Sequence, residues 1–315
     1  MNTRDRGKPL QTGGRRGIAM VTAVMVVSVA AGIAAYLIVN PERWGRQAAN
    51  LAVIAQAEVT ARAAVDWGRQ IVHDNTMGFS SSRIGENGPV AIDTFPVDDG
   101  SLTLLLDDAQ GKFNLNNMVK QGKKSDRDIL AFKRLLATLV LPTDLADTVV
   151  DWIDDDEQKN PNGAESEYYL GLKPPYRAAN RQMGDIGELA AVKGFKPEYI
   201  KTLAPHVTVL PERALVNVNT AEAPVVKSLF KGMTLSDAEN FVSLRKAVRF
   251  STIANVRGRL PRSVTEVLDD DFTVDSKYFS VKVVSTFKHA KIRAEALLRL
   301  GDKNLWPIVA WYRTT

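Results

Sequence analysis

Six carboxylates crowd the segment from Asp154 to Glu167, namely Asp154, Asp155, Asp156, Glu157, Glu165 and Glu167, against one base, Lys159. Like charges at that density repel one another unless solvent or a cation relieves them. Counting Asp154 as position 1 puts Asp156 at 3, Asn160 at 7, Asn162 at 9 and Glu165 at 12, close to the ligand spacing of an EF-hand loop after a helix. Position 6 is Lys159, where that loop needs glycine, and position 5 is Gln158. The pattern therefore suits a hard-cation, oxygen-rich site rather than a true EF-hand, and it suits a solvated acidic loop equally well. On the cation reading Asp154, Asp156 and Glu165 are ligands, with Asn160, Asn162, Asp151 or Glu167 as further oxygen donors.

Other chemistries find little in the chain. There is no cysteine, which removes disulfides, thiolate metal sites and cysteine nucleophiles together. His73, His206 and His289 are scattered, and no G-x-S-x-G, H-E-x-x-H or phosphate-loop motif occurs. No enzymatic activity is expected. Asn217-Val218-Asn219-Thr220-Ala221 resembles the opening of a helix-hairpin-helix module, and a weaker version runs from Asp185 through Gly194 to Leu203. Such modules hold phosphate through backbone amides at a glycine-rich hairpin. Here Phe230-Lys231-Gly232-Met233-Thr234 lacks the paired glycines, so both units read as packing elements. Lys193, Lys196, Arg245, Lys246 and Arg249 are then solvated faces.

These segments must be carried by something, and the amino terminus says what. Of 315 residues, 45% are apolar and 24% charged, the make-up of a folded chain, with a net charge of +5. Residues 1–17 hold a net +4 of that, from Arg4, Arg6, Lys8, Arg15 and Arg16 against Asp5. Ile18 to Val39 follows without one charge, and 22 helical residues span roughly 33 Å, enough for a hydrocarbon core of about 30 Å. The flank beyond it, with Arg43 and Arg46 against Glu42, carries only +1, so the amino terminus stays cytoplasmic and the remainder crosses. A cleavable secretory signal is the competing reading; its apolar core is usually about 7–15 residues, and no small-x-small site lies at the end of this run before Pro41.

After Pro41 a stripe of Leu51, Ala55, Val59, Ala63, Trp67 and Ile71 recurs every fourth residue. Each step overshoots a turn by about 40°, so the stripe winds round a long helix and meets a partner first and a sheet later. Met77 to Pro89 reads as a loop. Ser101 to Asp107 alternates as a strand, Asp108 to Gly111 turns, and Phe113 to Asn116 makes a second short strand. Helical signals occupy the next stretch, with starts at Ser125 and Pro142. Alternation returns over Phe279–Phe287 and Ile292–Leu298, with a last edge strand over Leu305–Tyr312 that tolerates Pro307.

The junction Arg15-Arg16-Gly17 before Ile18-Ala19-Met20-Val21-Thr22 resembles the class III signal of type IV pilins and type II secretion pseudopilins, cut after the glycine by a prepilin peptidase. Further blocks place the resemblance in one family. Lys112-Phe113-Asn114-Leu115-Asn116-Asn117, Asp151-Trp152-Ile153-Asp154, Gly163-Ala164-Glu165, Tyr168-Tyr169-Leu170, Pro175-Tyr176-Arg177-Ala178-Ala179-Asn180 and Leu215 to Ala221 resemble, in order, the type II secretion minor pseudopilin K family. The resemblance implies an α/β (α+β) fold: a pilin-like long N-terminal helix on a small antiparallel sheet, interrupted by a large all-α insertion. The expected division is a leader 1–17, membrane helix 18–39, outer helix and first strands 40–117, helical insertion 118–271 and last strands 272–315.

It further implies processing between Gly17 and Ile18, after which the side-chain charge is only +1. Thr22, at the fifth mature position, stands where most such subunits carry glutamate, which is typical of the K type. Implied too are a structural calcium, the minor pseudopilins I, J and H as partners, and a place at the tip of a periplasmic pseudopilus on the bacterial inner membrane. Secreted cargo is a further possible partner, and no nucleic acid is expected. The rival is a membrane-anchored nucleic-acid binder using the helix-hairpin-helix-like segments.

Overall fold

The computed structural model describes residues 14–76, 84–268, 270–301 and 306–314; the leader up to residue 13 and loop residues 77–83 lie outside them. Helix α1 (Gly14–Thr76) is continuous for 63 residues, through Pro41. Its segment Gly17–Tyr36 is long and apolar enough to cross a bilayer and is not buried against the rest of the chain.

Five strands form one antiparallel sheet in the order β1 (Val90–Val97), β2 (Gly100–Asp108), β3 (Tyr278–Phe287), β4 (Ala290–Arg299) and β5 (Ile308–Thr314). Leu104 faces Val283 and Leu106 faces Val281 across β2 and β3, and the same valines face Ala294 and Ala296 on β4. Because strand side chains alternate, this register gathers one apolar face, and α1 lies on it. The helix presents Ala61, Ala64, Val65 and Val72 to that face. Gly68 permits the approach: a Cβ there would stand 3.2 Å from Val281 Cγ2.

The stripe that meets the sheet is thus Val53, Ala57, Ala61, Val65 and Val72. Leu51 and Val59, expected from the four-residue recurrence, are 59% and 61% exposed, while Ile71, further along the same winding stripe, packs on the sheet core. Strand β1 escapes the sequence pattern, because Asp93, Thr94 and Pro96 interrupt its alternation and the pairing with β2 shifts between Ile92 and Phe95.

Residues 109–277, wider than the expected 118–271, intervene between the neighbouring strands β2 and β3. The short strand Phe113–Asn114 pairs in parallel with Val207–Thr208 inside this domain and takes no part in the main sheet, which corrects the sequence assignment. The domain's helices are α2 (Asp126–Thr138), α3 (Leu145–Ile153), α4 (Ser166–Leu170), α5 (Pro197–Leu203), α6 (Ala223–Leu229), α7 (Leu235–Ala247) and α8 (Ile253–Arg257). They close on a second core that includes Phe113, Phe132, Leu135, Phe241 and Phe272.

With so little sheet to pair them, the connecting segments satisfy their backbone through buried asparagines. Asn114 Oδ1 accepts from the amides of Asn116 and Leu210, Asn116 Nδ2 donates to the carbonyls of Met183 and Leu210, and Asn219 Nδ2 donates to those of Phe250 and Val274. The N-L-N-N and N-V-N-T blocks are therefore cross-links of the head.

The two faces of α1 make a direct test. Ala61→Leu overfills the helix–sheet contact and is expected to lower stability by about 1–3 kcal/mol, whereas Ala63→Leu on the open face leaves it unchanged. Chemical denaturation of the detergent-solubilised chain measures both; equal effects would refute the assignment of faces.

Candidate metal centre

Helix α3 delivers two of the acidic residues. Asp151 sits in its last turn and Asp154 caps it, its amide donating to the Val150 carbonyl at 2.9 Å. The chain then loops out and returns so that Glu165 precedes α4, its carbonyl accepting from the Tyr168 amide at 2.9 Å. One carboxylate oxygen from each of Asp151, Asp154 and Glu165 lies within 4.8 Å of the others, and all three residues are buried. This is the sole such cluster among the described residues.

Aromatic packing holds the two limbs together. Trp152, between the aspartates, meets Tyr169 of α4 edge to face at 5.3 Å, and Tyr176 packs on Tyr169 at the same separation. Asn180 closes the far side by donating its amide to the Trp152 carbonyl at 3.0 Å. The blocks around Tyr169 and Tyr176–Asn180 thus frame the site. At Gly163 a Cβ would stand 1.8 Å from Asp151 Oδ2, so the loop closes over the carboxylates only with glycine there.

Both oxygens of Asp154 and both of Glu165 are buried without a hydrogen-bond partner. The cation beside them is Lys124, whose Nζ stands 3.3 Å from Asp154 Oδ2. Burial lifts the Glu165 carboxyl to about 7, and Asp151, Asp154, Glu157 and Asp156 push it the same way. Burial likewise lifts Asp154 to about 6 against the pull of Lys124, and raises Asp151 against hydrogen bonds from Asn160. Buried oxygens with so few donors, on carboxyls that resist ionisation, are what a bound cation would relieve.

Of the residues expected from spacing, Asp154 and Glu165 converge and Asp151, named as an additional donor, completes the cluster. Asp156 does not join it; its Oδ1 accepts from the Gln158 amide at 2.6 Å. Asn160 donates both its amide and its side-chain Nδ2 to Asp151, Asn162 donates to Asp147 at 3.1 Å, and Glu167 is exposed. The carboxylates that converge come from the two ends of the loop and not from the successive positions of an EF-hand. Asn180 also stands beside this loop, with its buried Oδ1 lacking a hydrogen-bond partner and its Nδ2 donating to Glu157.

Elsewhere, Thr22 Oγ1 donates within its own helix, to the carbonyls of Ile18 and Ala19. Gly232 packs against the Ser263 carbonyl, where a Cβ would stand 2.1 Å away, so that hairpin is closed by packing. Arg245, expected in solvent, is buried with Nη1 on the Val218 carbonyl, and Arg249 pairs with Glu86 and Asp275. Lys193 lies over the Tyr168 ring and donates to the Gly163 carbonyl at 3.0 Å.

The family model for "Type II secretion system (T2SS), protein K" matches residues 111–212 and, in a second part, residues 216–275. Protein K of Pseudomonas aeruginosa is 32% identical over 85% of this chain and 84% of its own length. The Aeromonas hydrophila protein is 30% identical over 91% and 94%. The chain belongs to the type II secretion system protein K family. Its fold is that of a chain in the crystal structure of the GspK-GspI-GspJ complex from enterotoxigenic Escherichia coli. That match has a TM-score of 0.66 at 20% identity and covers 83% of this chain and 96% of that one. The long helix on an antiparallel sheet with an inserted helical domain agrees with the expectation from sequence, and the nucleic-acid alternative finds no support.

The raised carboxyls fix a pH dependence. Asp154 and Glu165 hold protons more tightly folded than unfolded, so without a cation their stabilisation is complete below about pH 4 and is lost as pH rises through about 6 to 7. Melting of the detergent-solubilised chain in chelator is expected to fall over that interval, and the fall to flatten in Asp154→Asn/Glu165→Gln; a flat profile in the parent chain contradicts the buried cluster.

Proposed function

We propose that the chain is the minor pseudopilin that starts or caps a periplasmic pseudopilus, processed after Gly17 and anchored in the inner membrane with its amino terminus cytoplasmic. The observation that carries this is the division of one helix between three environments. Gly17–Tyr36 suits lipid, the stripe Val53 to Val72 lies on the sheet, and Leu51 and Val59 remain bare on the same rod. A partner that covers Val59 must stand close beside a membrane helix, as another single-span subunit does.

The head bears on position within a fibre. It joins the sheet at Asp108 and Tyr278, where Phe279 and Val281 pack with Ala61 to Val72; the opposite end of the sheet packs Ala290 near Val53, toward the membrane segment. A bulky domain at the distal end obstructs stacking of a further subunit above. Thr22 offers no carboxylate to a neighbour's amino terminus, which suits a subunit with none above it. The relative's complex with GspI and GspJ supports minor pseudopilins of those types as partners.

The absence of cysteine makes the interface testable. Val59→Cys is expected to form a specific crosslink to a cysteine-bearing I- or J-type subunit in membranes, whereas Ala61→Cys, turned to the sheet, does not. Equal crosslinking, or none at Val59 or at neighbouring Leu51, overturns the reading.

We further propose that the carboxylate cluster holds calcium. Asp151, Asp154 and Glu165 supply charged oxygens and Asn180 a neutral one, a hard donor set without nitrogen or sulfur. The bound ion would neutralise the convergent carboxylates and tie the end of α3 to the start of α4. Calorimetry is expected to show calcium binding, with a raised melting temperature, both abolished by Asp154→Asn/Glu165→Gln. Neither heat nor a shift in the parent chain would sink the proposal.

A further inference from the structure

One charged surface serves neither the sheet nor the carboxylate cluster. Between Asn240 and Thr265 stand six basic residues and no acidic one, whereas the chain beyond Gly17 nets only +1. Arg245 and Arg249 are spent inside the fold, as described above. Lys246, Arg259 and Arg262 are exposed and form no ion pair among the described residues. Lys246 shares a separate cavity with Glu86, Asp107 and Glu222, so the charge left to solvent is that of Arg259 and Arg262.

The same region exposes an aliphatic pair. Leu244 and Val248, one turn apart at the end of α7, are 47% and 70% exposed. They line a groove of about 380 Å³ whose other walls include Phe250, Asn255 and Arg259. Adjacent apolar side chains left in water beside guanidinium groups are a combination that neither solubility nor core packing requires.

Location and chemistry narrow the occupant. The groove belongs to the distal head, and Tyr36 to Val72 measures roughly 54 Å of helix rise, so the bilayer surface lies far below. Nucleic acid would need free amides at the hairpin, and Gly232 is packed against Ser263. A phosphate backbone also leaves the aliphatic pair uncovered. What matches both features is a peptide with carboxylates on either side of an aliphatic residue.

We propose that the α7–α8 face is a docking site for an acidic protein segment. Its aliphatic anchor seats between Leu244 and Val248, and its carboxylates meet Arg259 on the groove wall and Arg262 beyond it. The surface is independent of the α1 interface, so crosslinking at Val59 succeeds or fails separately.

The test uses the full chain in lipid nanodiscs and a fluorescein-labelled peptide of glutamate and leucine residues. Saturable binding that weakens with salt is expected, with no binding of the lysine–leucine counterpart. Arg259→Glu/Arg262→Glu should weaken it roughly fivefold, from two exposed ion pairs. Leu244→Ser/Val248→Ser should weaken it comparably at an unchanged melting temperature. Absence of binding, equal binding by either double variant, or tighter binding of a single-stranded oligonucleotide overturns the proposal.

Discussion

The architecture depends on one buried carboxylate. Asp108 ends β2 where the chain leaves the sheet, and its Oδ2 accepts from Ser276 Oγ at 2.6 Å, Thr220 Oγ1 at 2.7 Å and Asn217 Nδ2 at 3.0 Å. Its Oδ1 accepts from the Gln110 amide at 2.8 Å, and Gln110 Oε1 accepts in turn from the amides of Lys277 and Tyr278, where the chain returns to β3. Exit, re-entry and the segment that leads into α6 are thus held by the side chains of Asp108 and Gln110. Burial nevertheless lifts the Asp108 carboxyl to about 6, against all four donors. Removing such a group would leave several buried donors without an acceptor, costlier than the loss of any single bond.

That junction lets two unlike cores coexist in one chain. The sheet core is a lamella under one helix, closed by pairing between β2 and β3 that is distant in sequence. The head has only two-residue strand pairs and relies on asparagines that imitate backbone partners. A second tie crosses at the sheet's other edge, where Arg313 of β5 bridges Glu295 of β4 and Asp185 of the head. The head is therefore fixed at the distal end of the sheet, and α1 remains free on its outer face. Rigidity at the junction and exposure along the helix are complementary requirements for a subunit that must present a fixed head while its stem is shared with neighbours.

Much of this was legible in sequence because it follows from length and period. Twenty-two uncharged residues specify a span, and alternation over Phe279–Phe287 and Ile292–Leu298 specifies paired strands. The face of α1 was less legible: Leu51 and Val59 are the larger residues, yet the sheet accepts Ala57, Ala61 and Gly68, since close approach favours small side chains over hydrophobic ones. At the acidic loop the spacing selects Asp154 and Glu165, which converge, but also Asp156, which does not. Asp151 precedes the loop and looked like part of a helix, and only the return through Gly163 brings Glu165 to it. Asn180, whose amide holds the Trp152 carbonyl, lies too far along the chain for any local pattern to include it. The fold of the loop, and not its composition, brings together three of the seven carboxylates from Asp151 to Glu167.

The position of those carboxylates bears on how a head without cysteines is held together. Asp155, Gln158, Lys159, Pro161 and Asn162 are exposed, so the segment from α3 to α4 buries little apart from Asp154 and Gly163 to Ser166. Ordering each backbone residue costs about 1–2 kcal/mol, and hydrophobic burial offers this stretch scant return. Exported domains commonly staple such loops with a disulfide, which for roughly 15 residues contributes about 3 kcal/mol by restricting the unfolded chain. A cation on Asp151, Asp154 and Glu165 would act instead on the folded state, in proportion to the logarithm of its concentration over its dissociation constant. The carboxylates that destabilise the loop while bare would become the ligands that hold it with the proposed ion bound. A disulfide's contribution is fixed when the bond forms, whereas this one varies with the surroundings, so the proposed calcium would make the head firmest on whichever side of the membrane supplies the ion.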